Sequence, residues 1–172
     1  MRRIVFLTLA LGIIATCSSP TIANDSRGPG VKGVGVRLGY GFDPDQVVFG
    51  AQAVYGKIFK FADLVPSFDL GLGDNMTTYT FNTDLRFLVL PLPKSSSAIY
   101  MSFGPSLTYW DPKNADPDLE IGLSVTGGVR MGIGQSGFYN LEARFGVGDV
   151  PDVRIMLGVF FGGGKKQADS GR

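Results

Sequence analysis

In the stretch "KGVGVRLGYGF" (Lys32 to Phe42), valine, leucine and aromatic residues occupy every second position, and glycine with one arginine fills most of the positions between. Successive side chains of a strand point to opposite sides, so this alternation describes a β-strand with two unlike faces. Eight segments of the chain alternate in this way, with Pro, Asp, Asn, Ser and Gly in the breaks between them. The alternation predicts strands at 32–42, 46–56, 64–73, 77–89, 98–109, 119–132, 138–148 and 153–161. After the first 23 residues no helical periodicity runs longer than a turn or two. The chain of 172 residues is therefore read as one all-β domain, long enough to close a small antiparallel up-and-down barrel.

Sorting each strand by parity separates the chemistry. One face carries residues such as Val34, Val36, Leu38, Phe49, Leu70, Phe81, Met101, Phe103, Ile121, Leu123, Leu141, Phe145, Ile155 and Leu157, and no charge. The other is small and polar, rich in Gly, Ser and Thr, and holds Arg37, Asp69, Asp84, Arg86, Glu120, Arg130, Glu142, Arg144 and Arg154. Two closed barrels fit this division. A soluble lipocalin-like barrel puts the apolar face inside around an apolar ligand, and a transmembrane barrel turns it toward lipid and keeps a polar, charged lumen.

Three features favour the lipid-facing arrangement. The Lys residues (Lys32, Lys57, Lys60, Lys94, Lys113, Lys165 and Lys166) fall at predicted strand ends, in turns or near the C-terminus, and the polar face within strands uses Arg alone. A confined lumen favours the planar guanidinium, which pairs with carboxylates in a fixed fork. Interspersed glycines give long Arg and Glu side chains room to meet inside an eight-stranded barrel, whereas on a solvent face they would weaken the strands by roughly 0.5 to 1 kcal/mol each. The aromatics Tyr40, Phe42, Tyr55, Tyr79, Phe87, Tyr109, Trp110, Tyr139 and Phe161 sit near predicted strand ends, as in the girdles at the two lipid interfaces. Pro66 and Pro105 run against the pattern, because a closed barrel has no free edge to excuse a missing donor. Bulges or bends are expected at both.

Residues 1–23 read as a cleaved export signal, with Arg2 and Arg3, an apolar run from Ile4 to Ala15, and a small-residue cleavage site at Thr21-Ile22-Ala23. Residues 24–31 form a short lead-in, 32–161 the barrel and 162–172 a flexible tail. Cys17 is the only cysteine, and Ile14 to Cys17 partly resembles a lipidation box in which Thr16 fits poorly. Cleavage after Ala23 leaves no disulfide, so stability has to come from packing and backbone pairing. The near-zero net charge gives no basic footprint for nucleic acid.

The signal, the eight short alternating strands, the cysteine-free mature chain and the last strand "VRIMLGVFF" together resemble the small eight-stranded outer-membrane β-barrels of Gram-negative bacteria, of the OmpA-like and opacity-type kind. The resemblance is one of pattern over Lys32 to Phe161. It implies an integral outer-membrane protein with lipid as its surroundings, inserted by the barrel assembly machinery, with a structural or surface-interaction role. It also implies that both chain ends lie on the periplasmic side. Here "GGGKKQADSGR" follows Phe161, a departure from families whose terminal strand ends the protein at an aromatic residue.

Little catalytic chemistry is on offer. Barrel enzymes of the lipase, lipid A acyltransferase, lipid A deacylase and omptin kinds use a catalytic His, and this chain has none. Without it the usual general base near neutral pH is missing. The lumen carboxylates are more simply read as partners of the lumen arginines, since buried charges persist when paired. No cofactor is expected. The predicted outer connections hold Asp43, Asp45, Asp74, Asp111, Asp116, Asp118, Asp149 and Asp152, opposed by Lys113. "DPKNADPD" makes Asp111, Asp116 and Asp118 weak candidates for a divalent cation. The stretch lacks calcium-loop spacing and a central Gly, and Asp with Pro also simply makes turns. These connections are short for adhesion, and a lumen of this size is filled by side chains.

Overall fold

A computed structural model of the chain describes residues 30–59, 61–91, 97–133 and 137–162. The expected export signal with Cys17, residues 24–29 of the lead-in, and the tail from 163 onward lie outside the described residues.

Eight strands close into one antiparallel barrel, each paired with its neighbours in sequence and β1 with β8. They are β1 (Val31–Phe42), β2 (Asp45–Phe59), β3 (Ala62–Leu72), β4 (Met76–Pro91), β5 (Ala98–Pro112), β6 (Asp118–Ile133), β7 (Gly137–Gly148) and β8 (Val153–Gly162). Even β8, at 10 residues, has the length a tilted strand needs to cross a bilayer. Closure leaves no free edge, so the backbone groups are satisfied between strands, a condition any sheet in lipid has to meet. Both described chain ends lie at one rim, here the terminal rim. The β1–β2, β3–β4, β5–β6 and β7–β8 connections form the opposite, far rim.

Parity decides orientation in the expected direction. Val36, Leu38, Phe49, Phe103, Leu123, Leu141 and Phe145 are exposed on the outer wall, with Ile121 at 74 % and Leu157 at 63 % exposure. Arg37, Asp69, Asp84, Arg86, Glu142, Arg144 and Arg154 are buried inside. A soluble barrel with an apolar cavity is the inverse of this arrangement. Aromatic rings gather on the outer wall toward both rims. Tyr40 lies edge-on to Phe42, and Tyr79 beside Tyr109, toward the far rim. Phe59, Phe61, Phe87 and Phe103 form a stacked row with centroids 5.4 to 6.0 Å apart toward the terminal rim.

Of the outcomes expected at the two prolines, the bulge is absent at both. The β2–β3 ladder keeps its register from Val47↔Leu72 to Tyr55↔Leu64, but pairs drop out where Val65 and Pro66 would meet β2. Toward β4 the pairing Pro66↔Thr83 is intact. Pro105 likewise pairs with Leu123 of β6, while the β4–β5 ladder lapses between Asn82↔Ser106 and Leu85↔Phe103. A proline lacks one donor and a strand residue's donor serves one neighbour, so the loss falls on one side and needs no extra residue. The register shifts occur near the terminal rim, at Val31/Gly33, between Tyr55 and Phe59, and at Leu88/Leu90.

Candidate functional site

The barrel interior is the one place where the fold gathers chemistry from every wall. Arg37 of β1 projects across Gly50 of β2, its register partner, to Asp69 of β3, which pairs with the same glycine. Its Nε and Nη2 donate to Oδ1 at 3.0 and 2.8 Å, and Nη2 also reaches Oδ2 at 2.9 Å. A Cβ at position 50 would run into both partners. Glycine there is a condition for the pair to form across an intervening strand.

Arg37 is also the hub of the network. Nη1 donates to Glu142 Oε2 of β7 at 2.9 Å, and Nη2 to Ser67 Oγ at 2.9 Å. Glu142 is held from three further sides, by Tyr100 Oη at 2.5 Å, Asn140 Nδ2 at 3.2 Å and Arg86 Nη2 at 3.4 Å. The Arg86 guanidinium lies over the Tyr100 ring, 4.4 Å from its centroid. Tyr100 itself fits because residue 128 is glycine, where a Cβ would meet the phenol ring. A second knot lies further toward the far rim. Arg144 Nη2 donates to Asp84 Oδ2 at 2.6 Å, and Ser124 bridges the two by donating to Asp84 Oδ1 and accepting from Arg144 Nη1. Arg154 donates to Thr80 and Thr78 and lies 3.5 Å from Asp69 Oδ2.

Two residues expected in this network stand outside it. Glu120 is half-buried and lines an open vestibule at the far rim with Asp43, Met76, Trp110, Asp149 and Asp152. Arg130 is half-buried toward the terminal rim, where its guanidinium lies over the Phe138 ring at 5.0 Å. Both have inward parity. Each lies close to a strand end, where the lumen meets solvent, so the balance of five Arg against four carboxylates becomes four against three in the buried interior.

Sequence reasoning also missed the two apolar closures of the lumen. Near the terminal rim Val54, Val65 and Phe160 form a buried cluster against Phe138, which stacks on Phe160 at 4.5 Å. At the other end the β7–β8 connection folds over the mouth and buries Val150 and Pro151. Gly146 N donates to Asp152 O, Asp152 N to Asp43 O and Trp110 Nε1 to Asp149 O, at 2.8, 3.1 and 3.3 Å, and these bonds hold the fold in place. The inward parity of Val54, Val65, Tyr100, Met156 and Phe160 was the available signal.

The weak cation candidates do not converge. Among the described residues no group of three or more His, Cys, Asp or Glu side chains is placed to hold a metal ion. Asp118 instead accepts from the Leu119 backbone N at 2.7 Å at the start of β6.

With apolar residues outward, charges knotted inside and eight strands in closed sequence order, the architecture can be compared with solved structures. The chain superposes on the N-terminal β-barrel domain of Pseudomonas aeruginosa OprF with a TM-score of 0.65 at 14 % identity, covering 78 % of this chain and 98 % of that one. The fold is that of the eight-stranded outer-membrane β-barrels. Neisserial surface protein A matches at a TM-score of 0.55 and 13 % identity, over 76 % of this chain and 94 % of that one. A de novo designed transmembrane β-barrel matches at 0.52 and 14 %, over 80 % and 98 %. No family model and no curated protein sequence matches the chain. The likeness therefore lies in the barrel's geometry.

Proposed function

We propose that the protein is a non-enzymatic integral barrel of the outer membrane of a Gram-negative bacterium, exported by its N-terminal signal and inserted by the barrel assembly machinery. Its role there is structural or one of surface interaction. The observation that carries this reading is the pairing of an apolar outer wall with a buried ionic lumen. An exposed apolar belt of this extent is unfavourable in water and favourable in hydrocarbon.

The lumen supports the non-enzymatic part. Each buried carboxylate already accepts from at least one guanidinium and one neutral donor. A general acid or base needs a side chain free to exchange a proton with substrate. The apolar closures at both ends, with the ionic knots between them, oppose passage of solutes.

Fractionation of cells making the full chain tests the reading. The protein is expected in the membrane pellet after salt and carbonate washes, with a gel mobility that changes on boiling. Release with the periplasmic contents, together with uptake of a fluorescent fatty acid, would overturn it in favour of a soluble carrier.

A further inference from the structure

The buried interior carries Arg37, Arg86, Arg144 and Arg154 against Asp69, Asp84 and Glu142, four guanidiniums to three carboxylates. A guanidinium does not shed its proton in a protein, and a buried charge without a counter-charge is strongly unfavourable. The excess falls on Arg154. Its closest carboxylate contact, 3.5 Å to Asp69 Oδ2, is to a group already gripped by three hydrogen bonds from Arg37. Glu120 does not offset it, because it lines the vestibule, and Val150 stands between that vestibule and the interior.

Immediately beneath Val150 and Pro151 lies a small cavity lined by both Arg144 and Arg154 and by Thr80, Asn82, Ser106 and Ser124. Its free space is about 10 Å³, room for about one water-sized sphere. The Nε–H groups of Arg144 and Arg154 are buried without a hydrogen-bond partner. Thr80 Oγ1 accepts from Arg154 and Thr108, which leaves its own hydroxyl proton to donate. Two lining arginines that each carry an unpaired donor, an uncompensated positive charge and a one-atom space coincide at this point.

We propose that this cavity binds one small monovalent anion of halide size, which completes the charge balance of the lumen beneath the β7–β8 turn. The space excludes sulfate, phosphate and organic carboxylates. The anion is a structural ligand, held by the guanidinium donors of Arg144 on β7 and Arg154 on β8 and by the Thr80 hydroxyl of β4.

Two measurements on the purified, folded barrel decide the matter. Crystals soaked in sodium bromide are expected to show an anomalous peak between Arg144 and Arg154. Thermal unfolding in sodium chloride, compared with sodium gluconate at equal ionic strength, is expected to show a midpoint that rises saturably by a few degrees. Arg154→Gln removes the excess charge and is expected to abolish that difference. Bromide found only at surface positions, equal midpoints in the two salts, or a halide effect that survives Arg154→Gln would each overturn the proposal. The bromide experiment uses the unaltered chain, so it decides even if the variant fails to fold.

Discussion

Glu142→Gln is the substitution that strikes the lumen hardest for the least change in shape. The carboxylate faces Arg37 at 2.9 Å and Arg86 at 3.4 Å and accepts from Tyr100 and Asn140. Gln keeps the volume and one acceptor oxygen but leaves two buried guanidiniums opposite a neutral amide. Breaking a buried pair by removing one partner costs about 3 to 5 kcal/mol, mostly from the charge left behind. With a urea slope of about 1.5 kcal/mol per M, that lowers the unfolding midpoint by roughly 2 to 3 M. The assay is equilibrium urea unfolding in lipid vesicles, followed by the fluorescence of Trp110, the single tryptophan. Arg130→Ala provides the contrast within one series. It loses a cation–π contact with Phe138 at a half-exposed site, worth roughly 0.5 to 1 kcal/mol. Equal midpoints for Glu142→Gln and Arg130→Ala would refute the reasoning, since depth in the lumen would then have no bearing on what a charge contributes.

Two further substitutions probe the features that parity alone does not reveal. Phe160→Ala opens a hole in the closure formed with Val54, Val65 and Phe138; the expected loss is about 3 to 5 kcal/mol, read from the same urea series, and a loss below about 1 kcal/mol would mean that this closure is not packed. Gly128→Val forces a side chain into the Tyr100 ring, which must leave Glu142; the expected cost is about 1 to 3 kcal/mol, and it should shrink markedly when Tyr100→Ala is already present, as a double-mutant cycle would measure.

The barrel was legible in the sequence because lipid and lumen impose opposite chemistries on alternate residues. The eight predicted strands coincide with the observed ones to within three residues at each end, as β6, read at 119–132 and found at Asp118–Ile133, illustrates. Face was legible residue by residue, from Arg37 to Arg154. Depth was not. Glu120 and Glu142 share an inward parity, yet one lines the rim and the other the ionic centre, because depth depends on stagger between neighbouring strands, which no single strand encodes. The apolar closures were hidden for a related reason. Phe160 follows an outward Val159 and precedes an outward Phe161 in a run of apolar residues, so its inward position carries no compositional contrast. At Pro66 and Pro105 a missing donor need not make a bulge, because the ladders absorb it on one side and keep their register there.

Bromolipid quenching of a tryptophan placed at position 157 tests the orientation of the walls most directly. Leu157 lies on the outer wall between its register partners Leu38 and Leu141. In a Trp110→Phe background, Leu157→Trp is expected to emit at short wavelength and to be quenched strongly by acyl chains brominated near the bilayer centre. Emission at the wavelength of water-exposed tryptophan, untouched by those lipids, would contradict the account.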